Sequence, residues 1–269
     1  MKRLCRLYRV SRAGFYAWRG RDASEHSEQD RLLTGQIGSI FNRNHRTYGS
    51  PRVQRELASQ GVHVSRRRVE RLMRAAGLRA RLVHVYRANP KLHVHYAQHP
   101  NLLWQTQARR ADRVWVGDVT YIRVGARWRF LAMVMDQYSR RVLGWSLARI
   151  RSTALTRAAL DHAIRRRRPA AGLIFHSDRG SEYLGAGFSG RLATLGVRQS
   201  TTRGGSPADN AHAESFFHSM KADMLHGVAF SDDAQLRRCV ARYVRYYNHQ
   251  RLHSSLGYRS PVAYEKRAA

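Results

Sequence analysis

The sequence predicts an α/β fold, a mixed five-stranded sheet flanked by helices, preceded by a small all-α, helix-turn-helix-like region. Three observations predict it. Residues 50–77 carry apolar positions at helical spacing between capping signals. Residues 114–147 hold three β-branched, aromatic and aliphatic runs separated by turn signals, and from residue 152 onward helical and strand signals alternate. Consecutive strands form an antiparallel meander, whereas strands alternating with helices add parallel pairs with helices on the sheet faces.

In chain order, residues 4–19 read as two short helices around a turn, with Leu4, Leu7 and Tyr8 on the first and Phe15, Tyr16 and Trp18 on the second. Ser50 is placed to cap a helix whose first position suits Pro51; Val53 and Leu57 lie one turn apart, and Gly61 ends it. Ser65 then caps a helix with the stripe Val69, Leu72, Met73 and Ala76, closed by Gly77. Arg66, Arg67, Arg68, Arg71 and Arg74 occupy its other faces. Two helices around a short Gly-containing turn, the second rich in Arg, suit docking on DNA through Arg66, Arg67, Arg68 and Arg71. The bland alternative is a hairpin with a solvated charged face. Residues 1–80 are thus read as a helical DNA-binding region, and 81–113, with Asn89-Pro90 and His99-Pro100, as an irregular linker.

Strand signals begin at Val114. Val114–Val124 is the first strand, Gly125-Ala126 a turn, Phe130–Met135 the second strand and Val142–Leu147 the third. A helix from Ser152 ends in Arg165–Arg168 before Pro169. Strand Leu173–His176, a helical stretch to Leu195 and strand Val197–Thr201 follow. Helices from Ala211 and from Asp232 to about Asn248 complete the fold. Residues 114–230 form the core of this reading, and 231–269 a carboxyl-terminal helix and tail packed on it.

The net charge of the 269-residue chain is +31, with +17 on residues 1–113 and +14 on the remainder, so both parts are expected to meet a polyanion. A GC-rich gene explains why Lys occurs only at 2, 91, 221 and 266 but not why acids are scarce. Two distant cysteines, Cys5 and Cys239, supply neither a disulfide framework nor a four-cysteine zinc site. No apolar run approaches the ~20 residues of a membrane span, and a cytoplasmic, nucleoid-associated protein is expected.

Three acids stand out against this background: Asp118 in VWVGDVTYI, Asp178 in LIFHSDRGSEY and Glu214 in GSPADNAHAESFFHSMK. Each lies at the end or edge of an apolar segment, where a carboxylate is costly without a compensating cation. A shared divalent metal would supply one. Two Mg²⁺ ions are the common solution in phosphodiester chemistry, and oxygen donors from three separate elements suffice for them. On the helix from Ala211, the stripe Ala213, Phe216, Phe217, Met220 and Met224 faces the sheet, leaving Glu214, His218 and Lys221 clustered at its rim. Among competing acids, Asp136 reads as a turn cap toward Ser139 or a partner of Arg140 or Arg141, and Glu182 as an exposed residue. Asp209 and Asn210 read as helix caps, and His176 as structurally satisfied. A zinc site from His84, His93, His95 and His99 is disfavoured for want of a nearby cysteine pair.

The words around these acids, the 35 residues between Asp178 and Glu214, and the stretch from GFYAW to RLHSSLGYRSP resemble the DDE transposases and retroviral integrases. More narrowly, the chain is similar to the second-reading-frame (OrfB) subunit of bacterial insertion-sequence transposases. The resemblance implies a ribonuclease H-like core and Asp118, Asp178 and Glu214 as catalytic metal ligands. It also implies two Mg²⁺ ions with Mn²⁺ as a substitute, and nicking followed by joining at the element's terminal inverted repeats and its target. A family basic residue falls at Lys221, which would bind the DNA end. The family's terminal motif falls on Tyr246, Tyr247, Asn248, Arg251 and His253, where Arg251 and His253 are candidates for DNA-backbone contact. An upstream-frame helix-turn-helix and leucine-zipper partner, reached through a frameshift fusion, and an oligomer on DNA are implied as well. Thr201-Thr202-Arg203-Gly204 departs from the family pattern.

Overall fold

In a computed structural model, which describes residues 1–20, 24–80, 100–104, 106, 108–202, 210–225 and 228–268, the chain divides into two compact units, Met1–Ala80 and Arg81–Ala269. The first unit is all helical among the described residues. Its helices are α1 (Lys2–Leu7), α2 (Arg12–Arg19), α3 (Glu25–Arg43), α4 (Ser50–Ser59) and α5 (Arg66–Ala75). Ser65 caps α5 as expected, its hydroxyl accepting from the Arg68 N–H at 3.2 Å. Ser50 does not cap α4: it is the helix's first residue, behind the extended Gly49, and Pro51 sits in the opening turn where its missing N–H costs nothing.

The longest helix of this unit, α3, is absent from the sequence reading. Its interior holds Gly35, Gly38, Ser39 and Thr34, all weak helix formers, and it is secured by tertiary contact. Leu33, Ile37, Ile40 and Phe41 of α3 are buried, as are Val53 and Leu57 of α4 and Val69, Leu72 and Met73 of α5, and the three helices contact one another. Polar ties reinforce that packing. Asp30 of α3 accepts from Arg68 Nε at 2.8 Å and Arg71 Nη2 at 2.6 Å, which draws its carboxyl below the usual range.

The second unit is built on β1 (Val114–Val124), β2 (Arg127–Asp136), β3 (Val142–Ala148), β4 (Ile174–Ser177) and β5 (Arg198–Thr201), ordered β3-β2-β1-β4-β5. The β1–β2 and β2–β3 pairs are antiparallel, and β1–β4 and β4–β5 are parallel, which is the mixed five-stranded sheet expected. Helices α6 (Thr153–Arg167), α7 (Ser181–Leu184) and α8 (Ala186–Thr194) interleave with these strands, and α9 (Ala211–Met220), α10 (Asp233–His249) and α11 (Pro261–Ala268) follow. One core layer sets Val116, Ile122, Met133 and Met135 against α9 and α10 through Phe216, Met220, Val240 and Tyr247. The other sets Trp115, Val134 and Leu143 against α6 and α8 through Leu155, Leu160, Phe188 and Leu192.

Two glycines make this packing possible. A Cβ on Gly144 would lie 2.3 Å from the Ala159 carbonyl oxygen, so only glycine lets β3 approach α6. A Cβ on Gly117 would lie 2.5 Å from the Phe175 ring, so glycine leaves room for that ring beside Asp118. The terminal helix α11, also missed in the sequence, is tied down by charge: Glu265 accepts from Arg141 at 2.5 Å, Arg167 at 3.0 Å and Ser139 Oγ at 2.7 Å.

Candidate active site

The parallel register of β1 and β4 places Gly117 beside Ser177, so Asp118 and Asp178 continue from neighbouring positions at the carboxyl end of β4. Each carboxylate is held by local backbone: Asp118 accepts from the Val119 N–H at 2.7 Å and Asp178 from the Gly180 N–H at 3.0 Å. Glu214 arrives on the exposed side of α9, whose buried stripe is Ala213, Phe216, Phe217 and Met220, as the helical spacing predicts. Asn210 begins that helix, but its side chain does not cap it. The Asn210 amide instead donates to the Gly117 carbonyl at 3.4 Å, joining the start of α9 to the strand residue before Asp118. Asp209, the other residue read as a cap, lies outside the described residues.

The electrostatics of the three acids are those of uncompensated negative charge. Burial, then the proximity of Asp178 and Glu214, push the Asp118 carboxyl up to about 8, against the opposing pull of the Val119 N–H and Arg151. Asp178 is raised by burial and by Glu182, and Glu214 by partial burial and by Asp178. Without a cation Asp118 therefore binds its proton more tightly than a free carboxyl does, and Asp178 and Glu214 are shifted in the same direction. Among the described residues no three His, Cys, Asp or Glu side chains stand close enough to enclose a metal ion. The donor set nonetheless fits a hard divalent cation: it is all carboxylate oxygen and its raised proton affinities are what such a cation would relieve.

Other residues of the reading fall into place or are corrected. Lys221 opens a π-helical turn, Lys221–Leu225, that continues α9. Its Nζ lies 4.9 Å from the Tyr121 ring centroid; burial lowers its proton affinity while the charge of Asp118 raises it. Asp136 is the turn cap expected: Oδ1 accepts from Ser139 N–H at 2.8 Å and Oδ2 from Asp112 N–H at 2.8 Å. His176 is buried with Nδ1 2.8 Å from Ser200 Oγ. Glu182, expected to be exposed, is buried, because Arg151 Nε and Nη2 clamp its carboxylate at 2.7 and 2.5 Å. Nothing in its local sequence signals a partner 31 positions earlier.

The candidates Arg251 and His253 are corrected too. Arg251 is buried, donating to Asp223 at 2.8 Å and Ser219 at 3.1 Å, with Tyr243 also donating to Asp223 at 3.0 Å. His253 is buried edge-on to the Tyr247 ring and forms a β-bridge with Arg259. Both join the carboxyl-terminal segment to α9 and α10 instead of facing a ligand. Arg66 and Arg67 are exposed on α5, whereas Arg68 and Arg71 are engaged with Asp30. The four histidines of the zinc reading that lie at 84, 93, 95 and 99 are outside the described residues.

A mixed sheet with one acid within β1, a second just past the adjacent β4 and a third on the helix that follows is the arrangement of an integrase-core protein. Residues 108–207 match the family described as Integrase core domain, residues 195–261 match a second family of that description, and residues 28–86 match an HTH-like domain. The helix-turn-helix-like match takes in α3 as well as α4 and α5. The chain belongs to the insertion-sequence transposases, and it is a transposase of the DDE type. It is 34% identical to the Transposase InsF for insertion sequence IS3A of Escherichia coli over 99% of this chain and 94% of that protein. It is 32% identical to the transposase for insertion sequence element IS904 of Lactococcus lactis, over 91% and 98%. At 35% over 98% of both chains it also matches the Insertion element IS600 uncharacterized 31 kDa protein of Shigella sonnei. Among solved structures, the simian T-cell lymphotropic virus intasome chain is similar in fold, with a TM-score of 0.51 at 18% identity, covering 85% of this chain and 74% of that one.

Proposed function

We propose that Asp118, Asp178 and Glu214 are the catalytic residues of this transposase, holding two Mg²⁺ ions, with Mn²⁺ able to replace them. The observation that carries this reading is geometric: the last paired positions of β1 and β4, Gly117 and Ser177, set Asp118 and Asp178 next to each other in register, and α9, joined to β1 through Asn210, carries Glu214. When bound, such ions supply charge that stabilises the entering and leaving oxygens of an in-line phosphoryl displacement. The chain's own part is positioning. Val119 and Gly180 N–H groups fix Asp118 and Asp178, Asn210 ties the helix of Glu214 to β1, and Arg151 pairs with Glu182. In the first step a water oxygen bonds to the scissile phosphorus and the bond to the element's 3′ oxygen breaks, leaving a 3′-hydroxyl. In the second that hydroxyl oxygen bonds to a target phosphorus and displaces a strand there, conserving one phosphodiester. No protein nucleophile is consumed.

Lys221 is positioned to contact a phosphate of the DNA end, and Arg66 and Arg67 to contact backbone phosphates at the terminal repeats or target. An upstream-frame helix-turn-helix and leucine-zipper protein, joined by frameshift, is the partner through which an oligomer assembles on DNA. The test is strand joining on labelled DNA carrying the ends that flank this gene, with Mg²⁺, and with and without the upstream frame. Asp118→Asn and Glu214→Gln are each expected to reduce joining by about 10³-fold or more. Joining by both variants at the wild-type rate would refute the assignment, and cutting without joining would identify a nuclease instead.

A further inference from the structure

Tyr121 and Trp128 are left largely in solvent, 58% and 51% exposed, on the second unit. The β1–β2 register pairs Tyr121 with Phe130 and Arg123 with Trp128, making the two rings diagonal neighbours across the hairpin. Their centroids are 5.1 Å apart with planes at 88°. A cation flanks each: Lys221 Nζ stands 4.9 Å from the Tyr121 centroid and the Arg123 guanidinium 5.9 Å from that of Trp128. Only Val114–Gly117 of β1 pair with β4, so the stretch bearing Tyr121 runs on beyond that partner. Lys221 continues α9, the helix that carries Glu214, so the cation beside Tyr121 and that acid share one helical segment.

A cross-strand aromatic pair stabilises a hairpin, but that role is served as well by covered rings. Leaving both rings half in water forgoes the gain of burying them, and a site rimmed by cations suits an anionic occupant better than an apolar peptide. We propose that Tyr121 and Trp128 form a stacking platform for unpaired bases at the DNA terminus, with Lys221 and Arg123 neutralising the adjoining phosphates. Aromatic faces engage a base only once it has left its own stack, so the occupant is a melted end, not an intact duplex. Tyr121 lies three residues along β1 from Asp118, about 10 Å of strand with the two side chains on opposite faces, so an end held there is within a few nucleotides' reach of that acid. This inference rests on the reading of Asp118, Asp178 and Glu214 as the reaction centre.

The test uses the full chain in chelator, where no chemistry occurs, with duplexes of the element's terminal sequence that are either fully paired or unpaired over the last few nucleotides. A 2-aminopurine at the terminus reports stacking. The wild type is expected to bind the unpaired end about tenfold more tightly and to quench the probe. Tyr121→Leu with Trp128→Leu keeps apolar bulk on the hairpin and is expected to abolish both effects, whereas Tyr121→Phe with Trp128→Phe retains them. Equal wild-type affinity for the two ends, or an undiminished preference in a folded Leu variant, overturns the platform. Asp118→Asn separates the two readings: it removes joining if the acids are the reaction centre, and leaves the preference for an unpaired end in place.

Discussion

At the scale of single residues, function and stability conflict at Asp118. Its carboxyl is pushed up to about 8, above the ordinary 3.8, by burial and by Asp178 and Glu214. A raised acid is penalised when ionised, so the metal-free protein is expected to lose stability as pH rises from about 4 to about 8. Asp118→Asn should flatten that slope and raise the thermal midpoint by several degrees at pH 8, even as it removes activity. Thermal melts of wild type and variant across this range, in chelator, check it; an unchanged or lower midpoint for the variant would show that the cluster is not under repulsion. Asp178 was legible in sequence because it follows directly on an apolar strand, Asp118 because its place in the first strand and its family-like setting set it above Asp136, and Glu214 because helical spacing sets it off from its apolar stripe. Glu182 and Arg251 were not legible, since each is buried by a partner far along the chain, Arg151 and Asp223 respectively.

Among elements, the brace between α9 and the segment after α10 governs where Lys221 stands. Asp223 lies in the π-helical turn begun by Lys221, and its carboxylate takes bonds from Arg251 and Tyr243. Arg251→Met leaves that buried carboxylate short of its cation and is expected to cost about 3–5 kcal/mol, measured by urea unfolding. Pairing it with Asp223→Leu should restore much of the loss, because replacing both charges by apolar groups removes the unpaired one. If the single variant is as stable as wild type, Arg251 is not a brace and its assignment to DNA contact returns. The strands were readable to within a few residues, as β-branched and aromatic runs between turns have few alternatives. Helix α3 was hidden by glycines in its interior, and α11 is secured by the Glu265 contacts with Arg141, Arg167 and Ser139, which no local pattern reveals.

Over the whole molecule, charge is the dominant property. A net +31 is spread over both units, so binding to DNA should weaken steeply with salt. The contributions of individual arginines are expected to differ according to their engagement. Arg66→Ala with Arg67→Ala should lower the magnitude of the log affinity against log salt slope by up to about 2, with little change in folding. Arg68→Ala should instead loosen the helical unit by removing one of the two arginines that donate to Asp30. Filter-binding at several salt concentrations, beside thermal melts, distinguishes them; identical slopes for wild type and the Arg66, Arg67 variant would exclude those two from the interface.

The sequence by itself determined the fold class, the order of the strands along the chain and the stripe of α9, because these follow from local periodicity; the three acids stood out by their apolar settings together with their family-like spacing and flanking words. Only the tertiary structure decided which arginines are free. Five of the same residue type on or near candidate interfaces look alike in sequence, yet Arg68, Arg71 and Arg251 are engaged by Asp30 and Asp223 while Arg66 and Arg67 stay exposed. It also decided that Asn210 reaches β1 instead of capping its helix, and that Tyr121 and Trp128 share one exposed site beside Lys221. The reason is that side-chain pairing across 28 to 41 positions depends on how helices and strands pack, and packing is a property of the whole chain.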